Sequence, residues 1–598
     1  MGNKKLKTRK EIDAKYKWNI ENMYSDSKLW EEDFQKVKML ADEFVDFSGK
    51  FTESANQLLA SLKAADEIGQ IIEKLYVYSK MKLDEDNTVS QYQEQNGRVM
   101  GLLAEVGAKM SFYTSELLSQ PEEKILGFID ENPELELYRL ALMDTLKQKK
   151  HVLSKSEEAL LAKLSEVTDN SNNIFSMLND ADMKFGTIKD ENGEEIEVTH
   201  GSYISLMESH DREVRKAAFD AVYNTYKGHI NTLSALYNTS VKNDVITSQI
   251  RNYGSSRKRA LEPNEIPESV YDNMIDVVHE YLPVMHDYVA LRKDILGYDE
   301  LHMYDVYVPL VKVPEKEIPF EEAVEMMNKA LAPLGDDYLK IVNKGVKDRW
   351  IDVYENTGKT SGAYSFGSYD SYPYILLNYT GRLQDVLTLV HEMGHSMHSF
   401  YTRTNQPYTY GNYSIFVAEV ASTVNECLLL HHLLQEEQDK DMKRFILNRF
   451  IEEFRATVFR QTMFAEFELN AHRFVEEGGS LTSDWLSEEY DRLNTLYFGD
   501  AMCHDDLIKY EWSRIPHFYR AYYVYQYATG FSAATAISEK ILKEGNMAVE
   551  SYKEFLSMGS SAYPVEELKV AGVDMTTKEP LIEAMEMFKS LVEEFKSL

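Results

Sequence analysis

The sequence is poor in cysteine: 598 residues contain two, Cys427 and Cys503. A secreted protein of this length usually carries more cysteines in disulfide pairs, so a disulfide-stabilised extracellular protein is not expected. The two cysteines are far apart in the sequence and do not form a C-x-x-C motif. Neither is therefore predicted to belong to a redox pair or to a zinc site built from thiolates.

Glycine and proline are also scarce, at 28 and 14 residues. Few helix breakers, together with many Leu, Glu, Lys and Ala residues, predict a mainly α-helical protein. Hydrophobic residues make up 43% of the chain, which supplies a well-buried core and excludes a disordered protein. The length of 598 residues predicts two or more domains, or one large elongated body.

Positive charge is in deficit, because 65 Lys and Arg face 99 Asp and Glu and the net charge is −34. Such a chain repels phosphate groups, so nucleic acid and anionic membranes are not expected as partners. No run of about 18 apolar residues occurs, so no membrane-spanning helix is expected. The N-terminal stretch MGNKKLKTRKEIDAKYKW lacks the apolar run of a signal peptide. We predict a cytoplasmic protein.

The N-terminal third is predicted to be helical. Residues 28–185 space their apolar side chains by three and four, which is typical of successive amphipathic helices. The following segment, MKFGTIKDENGEEIEVT, alternates apolar residues on both sides of Asn192-Gly193, which indicates a β-hairpin. We place a boundary beside this hairpin and predict an N-terminal helical domain over 1–200 and a catalytic domain over 201–598.

Two later segments have the character of strands. MYDVYVPLV, residues 303–311, alternates apolar and polar residues. GAYSFGSYDSYPYILLNYTG, residues 362–381, is rich in Tyr, Ile and Leu and is punctuated by glycine. Pro373 within it indicates an edge strand rather than a central one. After residue 381 helical patterns extend almost to the C-terminus.

The segment LVHEMGHSMHSF, residues 389–400, carries two histidines four positions apart. On a helix His391 and His395 lie on the same face, so both imidazoles can bind one metal ion, zinc by default. Glu392 is rotated away by one residue and can act as general base toward a water on the metal, as in H-E-x-x-H enzymes. The alternative is an ordinary helix with two histidines, although its apolar flanks would leave the imidazoles short of polar partners.

A catalytic zinc needs three protein ligands and one open position. Glu419 lies among apolar residues in the helical stretch 412–434, where a carboxylate is costly unless it is paired or bound to a metal. We predict that Glu419 is the third ligand; a salt-bridged glutamate is the alternative. Glu426 and His398 are candidates for residues that border the site and orient a ligand, and a purely structural role is an equal alternative for both.

HEMGHSMH followed by FVAEVASTVNE resembles the thimet oligopeptidase family of zinc metallopeptidases, and within it the oligoendopeptidase F group. The segments SGAYS, PYILLNYTG and HFYRAYYVYQYATG resemble the same group, and the resemblance covers roughly residues 200–590. It implies an elongated, largely helical ellipsoid with a deep substrate channel and one zinc ion per chain at its floor. It also implies cleavage of short peptides rather than folded proteins.

The resemblance further implies that a histidine and one or two tyrosines near the C-terminus donate hydrogen bonds to the substrate carbonyl oxygen. It favours His517 and Tyr525, with Tyr519 and Tyr522 as rivals. Donors of this kind stabilise the negative charge that develops on that oxygen during attack. For each tyrosine, packing in the core or in the groove is the alternative.

The segment 372–377 is predicted to be the edge strand beside the active-site cleft. An exposed edge offers unpaired N–H and C=O groups, to which an extended peptide can add as a further strand. Binding through the main chain predicts broad specificity. The residues expected to contact the substrate are Gly362, Ala363, Tyr372, Tyr374, Ile375 and Leu376.

These observations predict a zinc-dependent endopeptidase that hydrolyses internal bonds of short peptides. A zinc carboxypeptidase or dipeptidase on a similar helical scaffold is one alternative. A non-catalytic helical peptide-binding protein is another, although the complete set of His, Glu, His and Glu argues against it. A structural zinc would need a fourth protein ligand, and none is evident. Cobalt or manganese also suits such ligands.

Overall fold

The structure is a computed structural model that describes residues 6–168, 170–312 and 317–598. Within these ranges the chain is mainly α-helical with short strands, which confirms the predicted fold class. The first five residues of the basic N-terminal stretch lie outside the described residues. None of the described helices is both long enough and apolar enough to cross a lipid bilayer.

The helices and strands follow in chain order. The α-helices before residue 300 are α1 (Ser27–Phe44), α2 (Ala55–Glu85), α3 (Ser90–Met110), α4 (Phe112–Leu118), α5 (Glu122–Glu131), α6 (Arg139–Lys147), α7 (Lys155–Thr168), α8 (Asn170–Ser176), α9 (His200–Met207), α10 (Arg212–Gly228), α11 (Ile230–Ile250), α12 (Ser256–Leu261), α13 (Glu268–Glu280) and α14 (Leu282–Leu296). Those after residue 300 are α15 (Phe320–Ala330), α16 (Asp336–Lys347), α17 (Leu383–Asn405), α18 (Ile415–Glu436), α19 (Lys440–Glu453), α20 (Arg460–Glu476), α21 (Ser483–Phe498), α22 (Tyr525–Glu544), α23 (Asn546–Leu556), α24 (Pro564–Val570) and α25 (Glu579–Ser597). The strands are β1 (Thr187–Lys189), β2 (Glu195–Glu197), β3 (Leu301–His302), β4 (Ile351–Asp352), β5 (Tyr364–Phe366), β6 (Tyr374–Leu376) and β7 (Met502–Cys503).

The chain divides into two compact units, each assembled from three separate segments. Unit 1 comprises Met1–Lys150, Lys316–His432 and Ile537–Val573. Unit 2 comprises His151–Glu315, Leu433–Ala536 and Asp574–Leu598. The sequence predicts a single boundary at residue 200, whereas these units each combine segments from different parts of the chain. The predicted domain boundary stays a prediction.

The helices and the hairpin predicted in the N-terminal third are confirmed. Helices α1–α8 occupy the predicted span, and α2 buries Leu58 and Leu75 completely. Ser54 caps α2, since its hydroxyl accepts the N–H of Gln57. Strands β1 and β2 pair antiparallel, and Gly193 supplies the positive φ of +79° that the turn requires.

The predicted strand over 303–311 is wrong. Strand β3 ends at His302, and Met303–Asp305 form a 3-10 turn. The carboxylate of Asp305 accepts the N–H of His302 at 3.0 Å and binds Arg215 at 2.7 Å. The Asp305 carboxylate is fully buried, and its hydrogen bonds stabilise a turn at these residues. The alternating pattern alone predicts an extended strand there.

A three-stranded sheet in unit 1 precedes α17 in the chain, in the order β4-β6-β5. Strand β6 pairs parallel with β4 and antiparallel with β5. The predicted edge strand at 372–377 is therefore wrong, because β6 is the central strand and the outer edge belongs to β5. Pro373 is compatible with this position because it directly precedes β6, where no N–H is needed for the ladder.

Helix α17, which carries the two histidines four residues apart, crosses α18 at Gly394. The carboxylate of Asp385 fixes the start of α17 by accepting the N–H groups of Thr380 and Arg382 at 2.9 Å. A Cβ atom at Gly394 would lie 2.5 Å from Cα of Ser422 and 2.6 Å from the carbonyl oxygen of Ala421. Only glycine allows the two backbones to approach this closely.

A buried ion cluster anchors β4. The Asp352 side chain is 1% exposed and lies 2.7 Å from Nζ of Lys359, which is 0% exposed. Arg9 donates to the same carboxylate at 2.7 Å and lies 3.2 Å from Glu85. Burial alone would raise the pKa of Asp352, but Arg9 and Lys359 hold it below its usual value. The cluster therefore ties the N-terminal segment to the sheet.

Asp352→Ala should destabilise unit 1 strongly. The change leaves the ammonium of Lys359 buried without its carboxylate, and breaking a buried pair from one side costs about 3–5 kcal/mol. Denaturant unfolding followed by tryptophan fluorescence measures the loss. The matched control is Glu67→Ala, which removes an exposed ion pair with Lys36 at 2.7 Å and should change stability by less than about 1 kcal/mol. Equal effects of the two changes would contradict the anchoring role.

Gly394→Ala should lower the free energy of unfolding by about 1–3 kcal/mol, because the added methyl meets backbone atoms that cannot move aside without separating α17 from α18. Gly101→Ala in α3 is the control, since no atom lies within 4 Å of a Cβ there and Gly101 itself is exposed. That change should stabilise by about 0.5–1 kcal/mol. A stabilising effect at both glycines would show that the crossing tolerates a side chain.

Candidate metal centre

Three donor side chains converge where α17 and α18 cross. His391 and His395 lie one turn apart on α17, with ring centroids 4.9 Å apart and ring planes at 82°. Oε2 of Glu419, on α18, lies 3.5 Å from Nε2 of His391 and 3.7 Å from Nε2 of His395. The donor atoms of the three residues all lie within 4.8 Å of one another.

This spacing fits a tetrahedral zinc ion. With Zn–N and Zn–O distances of about 2.0–2.1 Å, two ligand atoms on one ion lie about 3.5 Å apart. Among the residues that the structure describes, no fourth His, Cys, Asp or Glu donor joins the group. The group therefore offers three donors, the number that catalytic zinc sites use.

Further contacts hold two of the donors in place. Oε1 of Glu426 lies 3.2 Å from Nδ1 of His391, so it orients the ring and leaves Nε2 directed at the centre. The Ser422 hydroxyl lies 3.3 Å from Oε2 of Glu419. Burial alone would lower the pKa of His391, but Glu426 and two further carboxylates raise it to about 9. The surroundings thus favour positive charge at this point.

Glu392 lies beside the three donors and is not one of them. Its side chain is buried, with 7% of its surface exposed. Burial raises the pKa of Glu392 to about 7, against the opposing charge of His391 and with support from the Glu419 carboxylate. The backbone of Ser365 in β5 lies close enough to the Glu392 carboxylate to oppose part of this rise in pKa. A carboxylate with a pKa near neutrality is suited to accept and return a proton.

The outer edge of β5 faces this carboxylate. The N–H groups of Ile375 and Leu377 donate to β4, so Tyr374 and Leu376 turn their backbone groups toward β5. In the antiparallel register these two residues face Phe366 and Tyr364. The backbone of the intervening Ser365 therefore points away from the sheet, toward Glu392.

The predicted substrate contacts divide into two groups. Tyr374, Ile375 and Leu376 are 0% exposed within the central strand, so they cannot offer an edge to a peptide. Tyr372 stacks on Trp350 with ring centroids 5.3 Å apart. Gly362 and Ala363, in contrast, lead directly into the edge strand β5. The strand addition predicted at 372–377 is thus not supported by the sheet order, and the predicted contacts of Gly362 and Ala363 with the substrate stay a prediction.

His398 lies outside the metal centre. It is 1% exposed and stacks on Tyr413, with ring centroids 3.7 Å apart. Burial lowers the pKa of His398 to about 3, so the imidazole is neutral. These contacts support a packing role for His398 rather than a role at the border of the site. Glu426, the other candidate, does contact one of the donors, His391.

The three C-terminal tyrosines that the sequence predicts as donors all lie in unit 2, and each packs against another aromatic ring. Tyr525 and Tyr522 are 2% and 3% exposed and pack against Tyr271. Tyr519 stacks on Phe175, with ring centroids 4.5 Å apart. These three predicted donors are therefore packed among other aromatic rings.

His517 instead lies with two tyrosines that the sequence ranking misses. The hydroxyl of Tyr527 is 3.3 Å from Nε2 of His517, and the ring of Tyr523 is 5.9 Å from the His517 ring; all three residues are only partly buried. Tyr522 and Tyr523 precede α22, whereas Tyr525 and Tyr527 lie in its first turn. Because only part of this segment is helical, helical spacing in the sequence does not separate the buried tyrosines from the exposed ones.

Comparison with known proteins shows the family of the chain. The family described as "Peptidase family M3" matches residues 205–587, and the one described as "Oligopeptidase F" matches residues 116–185. Oligopeptidase PepF of Bacillus subtilis is 48% identical over 593 residues, which cover 99% of this chain and 88% of that protein. Group B oligopeptidase PepB of Streptococcus agalactiae is 42% identical, over 99% of this chain and 98% of that protein.

A solved structure has the same fold. The crystal structure of oligoendopeptidase-F from Enterococcus faecium superposes with a TM-score of 0.75 at 37% identity, covering 96% of this chain and 99% of that chain. The resemblance that HEMGHSMH and FVAEVASTVNE indicate is confirmed, and with it the predicted class of metalloendopeptidase. With one family matching more than half of its length and a relative 48% identical along nearly all of it, the chain belongs to peptidase family M3.

Proposed function

We propose that this protein is a zinc-dependent endopeptidase that cleaves internal bonds of short oligopeptides. The observation that carries the proposal is the convergence of His391, His395 and Glu419 beside the buried carboxylate of Glu392. The names of the relatives, oligopeptidase and oligoendopeptidase, support the same substrate class. Cytoplasmic location remains part of the proposal.

His391, His395 and Glu419 would hold the zinc ion. When bound there, the ion supplies Lewis acidity that activates water toward a peptide carbonyl. The carboxylate of Glu392 takes the proton of the attacking water and delivers it to the nitrogen of the leaving amine. Its raised pKa suits both steps, because the same group must accept a proton and release it at neutral pH.

The substrate would bind as an extra strand along β5. Ser365 turns its backbone out of the sheet, and Gly362 and Ala363 continue the same edge without bulky side chains. Main-chain hydrogen bonds along this edge would hold many sequences equally well, which accounts for broad specificity. A peptide bound along this edge would bring its scissile bond near the Glu392 carboxylate, which lies beside Ser365.

Donors to the carbonyl oxygen are assigned to His517, Tyr523 and Tyr527. These residues have ring nitrogens or hydroxyl groups in a partly exposed cluster, whereas Tyr522 and Tyr525 are packed against Tyr271. A hydroxyl or imidazole N–H that meets the developing oxyanion lowers the barrier without contributing to ground-state binding.

Glu392→Gln and Glu419→Gln both replace a carboxylate by an amide. Glu392 is the proposed base, next to the proposed ligand His391, whereas Glu419 is itself a proposed ligand. The first should retain zinc and lose turnover by about 10²–10⁴-fold, because the base is gone. The second should lose zinc, because an amide is a poor replacement for a carboxylate ligand. Elemental analysis and hydrolysis of a quenched peptide measure the two effects. A zinc-loaded Glu419→Gln protein, or an active Glu392→Gln protein, would contradict the assignment.

The quenched peptide should be blocked at both termini. An endopeptidase cleaves it internally, and a chelator abolishes the cleavage; mass spectrometry of the products locates the bond. Failure to cleave the blocked peptide, with cleavage of the same peptide carrying a free carboxyl end, would identify a carboxypeptidase instead.

Tyr527→Phe should lower kcat by about 10²–10³-fold with a smaller change in KM, since one oxyanion donor is lost. Tyr525→Phe is the control, because its ring is packed beside Tyr271 and should leave kcat close to that of the unchanged enzyme. Steady-state kinetics on one peptide compares the two. The reverse order of effects would return the donor role to Tyr525, as the sequence ranks it.

A further inference from the structure

A second group of potential metal ligands lies in unit 2, on the two-stranded sheet β3–β7. Glu300, His302 and Cys503 bring a carboxylate oxygen, an imidazole nitrogen and a thiol sulfur within 4.8 Å of one another. None of these residues belongs to the site proposed for peptide hydrolysis. His302 and Cys503 are partly buried and Glu300 is exposed, so ions from solvent can reach the group.

The register of the sheet explains why these side chains meet. Strands β3 and β7 run parallel, with His302 directly opposite Cys503. Paired residues project to the same face of a sheet, and so do residues two apart along one strand. Glu300 lies in the bend just before β3, and its Oε2 lies 3.7 Å from Nε2 of His302.

The contacts around the group resemble those of a prepared site. Nδ1 of His302 lies 2.8 Å from Oδ1 of Asp505, and the other oxygen of Asp505 accepts the N–H of Met303 at 3.0 Å. Nε2 of His302 is thereby directed at Glu300, 3.7 Å away. A carboxylate that fixes the far nitrogen of an imidazole is the usual second partner of a metal-bound histidine.

The position of Glu300 is also fixed. Arg212 donates to its backbone carbonyl at 2.6 Å and is itself held by Asp305 at 2.8 Å. Around the thiol, negative charge outweighs positive charge: burial raises the pKa of Cys503, and Glu300 and Asp505 raise it further. The same carboxylates would attract a cation.

We propose that Glu300, His302 and Cys503 form a second metal site, which takes a thiophilic divalent cation of the zinc class. Two ligands on one zinc lie about 3.5 Å apart, close to the observed separation of His302 and Glu300. A sulfur, nitrogen and oxygen donor set favours zinc-like ions over magnesium or calcium, which prefer oxygen ligands alone. The bound ion would link two chain segments that pair over only two residues on each strand.

Cobalt is the probe for this site. A cobalt–thiolate bond gives a charge-transfer absorption in the near ultraviolet that imidazole and carboxylate ligands do not give. The chain has two cysteines, and Cys427 is 1% exposed within α18, so the band reports on Cys503. Titration of the purified full-length protein with Co²⁺ should produce the band; Cys427→Ala should retain it, and Cys503→Ser and His302→Ala should lose it.

A second measurement needs no variant. Zinc should slow the reaction of Cys503 with a thiol reagent about ten-fold when its concentration is ten times the dissociation constant, because only the unbound fraction reacts. Magnesium at the same concentration should have no effect. Absence of the cobalt band, a band that follows Cys427 instead, or an unchanged thiol reaction rate in zinc would each overturn the proposal. Peptide hydrolysis by Cys503→Ser should stay at its unchanged level, which separates this test from that of the proposed peptidase centre.

Discussion

The close contact of α17 and α18 at Gly394 is the constraint on which the metal centre depends. His391 and His395 lie on either side of this glycine, and Glu419 lies one turn before Ser422, whose Cα would be 2.5 Å from a Cβ at the crossing. All three donors thus lie within one turn of the point where the backbones are closest. Two helices alone bring them together, with no loop required. The residue without a side chain therefore sets the distances between the residues whose side chains bind the ion.

The carboxylate of Glu392 depends on a second set of contacts, which begins far from the centre in sequence. Asp352, neutralised by Arg9 and Lys359, anchors β4 in the interior of unit 1. Strand β4 supports the central strand β6, and β6 supports β5. The backbone of Ser365 in β5 then lies beside the Glu392 carboxylate. The sheet therefore contributes to the surroundings of the base, as the two helices do to those of the donors.

Local signals carried most of the prediction, and contacts between distant segments account for its errors. The spacing of His391 and His395 and the apolar surroundings of Glu419 suffice to predict the three donors that the structure brings together, because helix geometry is the same everywhere. The edge strand was misassigned because Pro373 is compatible with an edge strand and equally with the position just before a central one. Strand order is decided by the pairing of β6 with residues 351–352, to which no local pattern points. The ranking of Tyr525 above Tyr527 stays a prediction, although the burial of Tyr525 against Tyr271 favours the more exposed Tyr527.

Two groups among the described residues could bind a metal. They differ in the carboxylate that lies beside the donors without being one of them. Beside His391, Glu392 is buried, has a pKa raised to about 7 and is not itself a donor, so it can exchange a proton with water. Beside His302, the neighbouring carboxylate of Asp505 already accepts hydrogen bonds from that imidazole and from the backbone of Met303. That carboxylate is engaged in holding the histidine. An ion held there would therefore serve to join chain segments, whereas the proposed hydrolysis belongs to the centre on α17.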